Sequence, residues 1–163
     1  MNITAMYFSG TGTTKKVTAA IADELTEIKI SQDKTAADEN PGSIKAGIKP
    51  WQRAEDIDFT PPAARREIYR FTPDDLVVFG VPVIAGRVPN VLLKFLDTLQ
   101  GGGALAVPVV LYGNRNFDDA LIELRNILQD RGFYAIGAAA FIGEHSFSRI
   151  LAAGRPDSSD MEL

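Results

Sequence analysis

Asn2-Ile3-Thr4-Ala5-Met6-Tyr7-Phe8 runs directly into Ser9-Gly10-Thr11-Gly12-Thr13-Thr14. Ile3, Ala5, Met6, Tyr7 and Phe8 make a short apolar run, too short for a buried helix and of the length of a buried strand. The six residues that follow are all small or hydroxyl-bearing. Beyond them Val17, Ile21 and Leu25 fall at i, i+4 and i+8, one face of a helix. Strand, small-residue loop and helix in that order are the opening unit of an α/β protein.

The same alternation continues. Leu76 to Gly80 reads as a strand, and Val88 to Leu99 as a helix through Leu92, Phe95, Leu96 and Leu99, with Pro89 in its first turn and Gly101 to Gly103 at its end. Val107 to Tyr112 is the next strand, with Pro108 near its start. Leu121, Leu124 and Leu128 form the stripe of a further helix that Asn116 is placed to cap, and Phe133 to Phe141 is a last strand. The strands are apolar throughout instead of on alternate residues, as strands covered on both faces are, so the class is α/β with a doubly wound parallel sheet. Thr26 to Arg53 breaks the alternation. It is polar, carries Pro41 and Pro50, and reads as an insertion. One more strand is needed before Leu76. Glu27 to Ser31 and Asp56 to Thr60 are the candidates, and the second is preferred because Pro61-Pro62 ends it.

With 163 residues, 45 % hydrophobic and 23 % charged, the chain has the composition of one globular domain. It has no cysteine, which excludes disulfides, thiolate metal sites and a cysteine nucleophile within it, and its single histidine, His145, cannot build a multi-histidine metal site. A net charge of −4 without a basic cluster argues against nucleic-acid binding. No apolar run has the length of a membrane span, and Met1-Asn2-Ile3-Thr4 has no secretion-signal character, so the expectation is a cytoplasmic protein.

In doubly wound sheets ligands bind at the carboxyl ends of the strands, where three loops of this chain fall. Ser9, Gly10, Thr11, Gly12, Thr13 and Thr14 join a strand to a helix N-terminus. The glycines allow close wrapping, the hydroxyls of Ser9, Thr11 and Thr14 can donate, and free helix amides favour a phosphate. The loop is neither a Walker A loop nor G-x-G-x-x-G. A polar turn with a helix cap is the plainer account of it. In the second loop, Pro82-Val83-Ile84-Ala85-Gly86-Arg87, Gly86 permits a peptide to flip and Arg87 offers a cation to an electron-rich ring. The third, Tyr112-Gly113-Asn114-Arg115-Asn116-Phe117, has amides and two aromatics suited to a planar heterocycle. Equally, Phe117 belongs to the core and Asn116 only caps a helix. His145, beside Glu144, is read first as a residue that ties down the segment after the last strand, and second as a proton donor near the site.

Ser9-x-Thr11-Gly12-x-Thr14 resembles the FMN-phosphate loop of flavodoxins. Phe79-Gly80-Val81-Pro82-Val83, Ala85-Gly86-Arg87-Val88-Pro89, Tyr112-Gly113-Asn114-Arg115, Asp119-Ala120-Leu121, Phe141 to Ser148 and Ala153-Gly154-Arg155-Pro156-Asp157 resemble a bacterial and archaeal family in which a flavodoxin domain precedes a ferredoxin domain. The resemblance implies a flavodoxin-like fold with five strands in the order 2-1-3-4-5. It implies FMN with its phosphate on Ser9 to Thr14 and its ring between the second and third loops, and electron transfer with a ferredoxin-type iron–sulfur partner. The rival reading is an NAD(P)H-dependent FMN oxidoreductase acting on quinones or nitro compounds. A receiver domain is disfavoured, since Phe79-Gly80-Val81-Pro82 lacks its Asp. Ile84 stands where the family commonly carries tyrosine. The resemblance further leads one to expect a truncated last helix, an exposed apolar strip, and a homodimer or the 26–53 insertion covering that strip.

Overall fold

The computed structural model describes residues 1–39, 51–145, 148 and 150–162. Strand β1 (Asn2–Tyr7) leads into helix α1 (Thr13–Glu39). Two short strands follow, β2 (Gln52–Arg53) and β3 (Ile57–Asp58). Then come β4 (Asp75–Pro82), α2 (Asn90–Leu96), β5 (Leu105–Tyr112), α3 (Ala120–Asp130), β6 (Tyr134–Ala135) and β7 (Ala139–Ile142). Every pairing between these strands is parallel. β2 and β3 both pair with β1 at one edge, and β6 and β7 both pair with β5 at the other. The seven pieces therefore occupy five strand positions in the expected order 2-1-3-4-5.

Helix α1 covers one face and α2 and α3 the other. On the α2–α3 face Val77, Phe79 and Val81 of β4 pack with Leu92, Leu96, Leu124 and Leu128, all buried. Phe59 joins them, its ring centroid 5.3 Å from that of Phe79 and 4.9 Å from that of Phe95. On the α1 face Ile3, Ala5 and Tyr7 pack with Val17 and Ala22. Gly80 brings α1 close to β4: a Cβ there would lie 2.0 Å from Thr18 Oγ1.

Three segments differ from their sequence reading. The polar stretch from Thr26 opens as helix, with α1 continuing through it to Glu39. Thr26 is accommodated by donating its hydroxyl to the Ala22 carbonyl at 2.8 Å, as a threonine inside a helix can. Trp51 packs against the α1-side core and Gln52–Arg53 is already strand, which leaves 40–50 of that stretch outside the described residues. Of the two candidates for the additional strand, Asp56 to Thr60 holds β3, while Glu27 to Ser31 is helical. The Phe133 to Phe141 strand is broken into β6 and β7 around Gly137. Helix α2 is also shorter than Val88 to Leu99, starting directly after Pro89.

Beyond the reach of α1 the sheet face stays partly open. Leu105, Val107 and Phe141 are only half-buried there. Tyr134, in register with Leu105, is 66 % exposed, and Ile136 is 57 % exposed. Residues 151–154 and 158–161 form turns, and Met161 packs against the α1-side core.

Candidate functional site

The loop from Ser9 to Thr14 is fixed from behind and left open in front. The Ser9 amide donates to Thr60 Oγ1 at 2.8 Å, and Ser9 Oγ accepts from the Lys15 amide at 3.0 Å. The Lys16 amide reaches the Gly12 carbonyl at 3.1 Å, starting the helix. The amides of Gly10, Thr11, Gly12, Thr13 and Thr14 make no hydrogen bond to any described residue. A Cβ on Gly10 or Gly12 would meet nothing within 4 Å, and Gly12 has φ +89°. Free amides at a helix N-terminus around open space form a cradle for an anion. The hydroxyls of Thr11 and Thr13 stand 3.3 Å apart beside it. Of the two lysines in the first turn of α1, Lys15 lies over the Tyr7 ring and Lys16 Nζ donates to the Pro156 carbonyl at 3.0 Å. The donors of the loop itself are neutral, and the Lys16 ammonium stands at its rim.

The second loop is a rigid turn. Ile84 and Arg87 exchange two backbone hydrogen bonds, 3.0 and 3.1 Å, and the residues between them, Ala85 (φ 52°) and Gly86 (φ 74°), are both left-handed. That is the geometry of a type I′ turn. Arg87 does not point at the hollow. Its guanidinium grips both carboxylate oxygens of Glu123 on α3, at 3.0 and 2.6 Å, and Glu123 also accepts from the Val88 amide at 2.8 Å. The Arg87 hydrogen bonds, with help from Val88 and against the effect of burial, hold the Glu123 carboxyl below its usual range. A depressed carboxyl contributes stability above the unfolded-state value of about 4.3 and loses it as pH falls through the lower folded value. Thermal melts of Glu123→Gln against the parent are expected to show a gap that is constant from neutral pH to about 5 and closes on further acidification. A gap independent of pH would remove the charge from this account.

In the third loop Tyr112 contacts Phe117, ring centroids 5.5 Å apart, while Phe117 itself packs against the α2–α3 core. Asn116 does not cap α3. Its side chain accepts from the Asp118 amide at 3.0 Å, within the preceding turn, and Asp119 occupies the cap position without a side-chain hydrogen bond. Asn114 and Arg115 are exposed. Asp118 lies against Gly86, where a Cβ would come within 2.4 Å of its Oδ2, so the second and third loops touch. Gly113 lies so close to His145 that a Cβ would sit 2.8 Å from the imidazole.

These parts surround a hollow of about 210 Å³. Of the residues singled out in the sequence, Thr11, Thr13, Thr14, Pro82, Val83, Ile84, Ala85, Tyr112 and Gly113 line it. Ser9, Gly10, Gly86, Arg87, Asn114, Arg115, Asn116 and Phe117 do not, and Gly12 lines an adjoining hollow. Leu111, Gly143, Glu144 and His145 complete the wall. The anion cradle at one end and the apolar slot between Pro82–Ala85 and Tyr112–Gly113 fit a flat ring system carrying a phosphate on a tether. Among the described residues no group of acidic, histidine or cysteine side chains is placed to hold a metal ion, and no helix is long and apolar enough to cross a membrane.

Sheet order, helix placement and a hollow at the carboxyl ends of the strands define a flavodoxin-like fold, and solved structures agree. A flavodoxin from the domain Archaea matches over 99 % of this chain and 89 % of its own, with a TM-score of 0.62 and 15 % identity. A flavodoxin of Streptococcus pneumonia TIGR4 matches over 99 % and 91 %, with a TM-score of 0.54 and 14 % identity. A putative flavoprotein from Bacteroides uniformis matches over 88 % and 92 %, with a TM-score of 0.52 and 14 % identity. At these identities the likeness is one of fold. No family model matches the chain, and no curated protein matches it in sequence.

Proposed function

We propose that this chain binds FMN and works as an electron-transfer flavoprotein, with a ferredoxin-type iron–sulfur protein as its redox partner. The observation that carries the reading is the run of five amides, Gly10 to Thr14, that no described residue pairs, opening beside the apolar slot. The cradle would hold the phosphate, and the Ile84–Arg87 turn and Tyr112 would flank the ring. Bound FMN supplies one- or two-electron chemistry. The chain supplies position and exclusion of water on the flanked side. The fold shared with flavodoxins supports the same reading.

The test is a visible spectrum of the purified chain after adding FMN and removing the excess, with riboflavin in parallel. FMN is expected to be retained. Riboflavin, which lacks the phosphate, is expected to bind at least a hundredfold more weakly, as two hydrogen bonds to a charged acceptor at about 1.5–3 kcal/mol each would have it. Equal affinity for the two would place the ligand elsewhere, and no binding of either would sink the flavin reading.

One observation keeps a second reading in view. Ile84 lines the hollow yet is 51 % exposed, leaving that side of the slot open to another flat molecule, as an NAD(P)H-dependent reductase of quinones or nitro compounds needs. Rapid bleaching of bound flavin by NADPH would select it. We also propose a second copy of the chain as the cover for the open sheet face around Tyr134 and Ile136. A monomeric mass by light scattering at micromolar concentration would dismiss it.

A further inference from the structure

Past β7 the chain turns back across the N-terminus of α1. Two hydrogen bonds join Glu144 to this returning segment: its amide donates to the Arg155 carbonyl at 3.1 Å, and its carboxylate accepts from the Gly154 amide at 3.0 Å. Lys16, in the first turns of α1, donates to the Pro156 carbonyl at 3.0 Å. Met161, half-buried, packs against the α1-side core. Between these anchors the segment is stiffened from within. Arg155 is paired with Asp160 through two short hydrogen bonds and lies 3.7 Å from Asp157. Asp157 Oδ1 gathers the Ser159 amide at 2.9 Å, its hydroxyl at 2.7 Å and the Asp160 amide at 3.1 Å.

Loop and segment flank a second, wide-open hollow of about 250 Å³, with Thr11, Gly12 and Thr13 on one side and Gly154, Arg155 and Pro156 on the other. Glu144 and the two threonines line both hollows, so the second is continuous with the phosphate end of the first. We propose that Leu151–Met161 is a clasp on that end of the site, and that clasp closure and binding of a phosphate-bearing ligand are thermodynamically coupled. The inference rests on the flavin reading for the identity of the ligand and on the geometry for the coupling.

Two contacts set its sign. Lys16 has three ammonium donors, and the Pro156 carbonyl takes one, so the closed clasp holds a cation at the rim of the cradle with donors to spare. Glu144 is the acidic residue among those lining the two hollows, and the closed clasp engages its carboxylate with an amide. Closure thus steadies the favourable charge and occupies the unfavourable one. Arg155 is neutralised inside the clasp, so it adds no further pull on an anion. Coupling is reciprocal: whatever the clasp adds to ligand affinity, the ligand adds to clasp closure.

Hydrogen exchange read by mass spectrometry over 151–161, with the full chain, tests this. FMN is expected to slow exchange there about tenfold, a coupling of ordinary size, while riboflavin leaves it unchanged. Met161→Ala, which removes the clasp's contact with the core and leaves the Arg155–Asp160 pair in place, is expected to raise the dissociation constant of FMN about tenfold and to leave that of riboflavin alone, a difference that simple loss of stability would not produce. FMN binding, read by quenching of its fluorescence, with unchanged exchange in the clasp overturns the proposal. Absence of quenching by either flavin is the failure of the flavin reading. The clasp is then decided by millimolar inorganic phosphate, where protection of 151–161 sustains it and unchanged exchange ends it.

Discussion

Gly80→Ala is expected to lower stability by about 2–3 kcal/mol, the upper part of the range for overpacking a filled core, although it adds one methyl group. The new Cβ would lie 2.0 Å from Thr18 Oγ1, 3.0 Å from Thr14 Cγ2 and 3.2 Å from Thr18 Cβ. None of these atoms is the end of a long, adaptable side chain. Relief requires α1 to lift from β4, and α1 carries the anion cradle on its first turn. FMN affinity should therefore fall with stability. The structure also names the rescue. Thr18 Oγ1 is buried and has no hydrogen-bond partner among the described residues. Thr18→Ala alone should be nearly neutral, because the lost methyl contact, worth about 1 kcal/mol, is offset by removal of an unsatisfied buried hydroxyl. In the Gly80→Ala/Thr18→Ala double variant most of the loss should be recovered. Denaturant midpoints of the four proteins measure the cycle, and additive effects would show that the contact is not the cause.

The second large effect is expected one residue from a small one of opposite sign. Gly86→Ala places a Cβ 2.4 Å from Asp118 Oδ2 and 2.8 Å from Asp118 Cβ, at φ +74°. The left-handed backbone alone costs a non-glycine residue about 1–2 kcal/mol, and displacement of Asp118 brings the total to about 2–4 kcal/mol. Asp118 is where the second and third loops meet, so the slot between them should widen and FMN should bind more weakly. Ala85 already sits at φ 52° in the same turn. Ala85→Gly relieves that strain but adds freedom to the unfolded chain, a cost of about 0.5–1 kcal/mol, and a net gain below about 1 kcal/mol is expected. Thermal melts separate the two: the adjacent substitutions should move the midpoint in opposite directions. A midpoint lowered by Ala85→Gly would mean that the Ile84–Arg87 turn is not as described.

The central sheet and the cradle were legible because their signals are local. The apolar runs of β1, β4 and β5 each fill a strand, and the glycines and hydroxyls of the first loop are contiguous. The edges were less so. β2 and β3 hold two residues each, and what makes them strands is the open side of β1, not their own composition. The polar side chains after Leu25 hid the continuation of α1. In the site, what escaped sequence reasoning acts across long separations. Thr60 fixes the cradle from 51 residues away, and Glu123 claims Arg87 from 36. No spacing rule links either pair. Glu144 and His145 were visible as polar residues just after the last strand, and their part in the wall follows from the parallel pairing of β7 with β5.

The two margins of the sheet share a property that its centre lacks. β1, β4 and β5 run for six, eight and eight residues. Each outer position is split instead, into two and two residues on one side and two and four on the other. A long, flat outer strand is a template on which a foreign strand can extend the ladder and from which fibrils can grow. The breaks at Ala54–Asp56 and Ile136–Ala138 interrupt any such template before it reaches the length of an ordinary strand. The chain can thus keep the apolar residues of β6 and β7 at one margin of its sheet, and β2 and β3 at the other, without offering either margin as a nucleus for cross-β assembly.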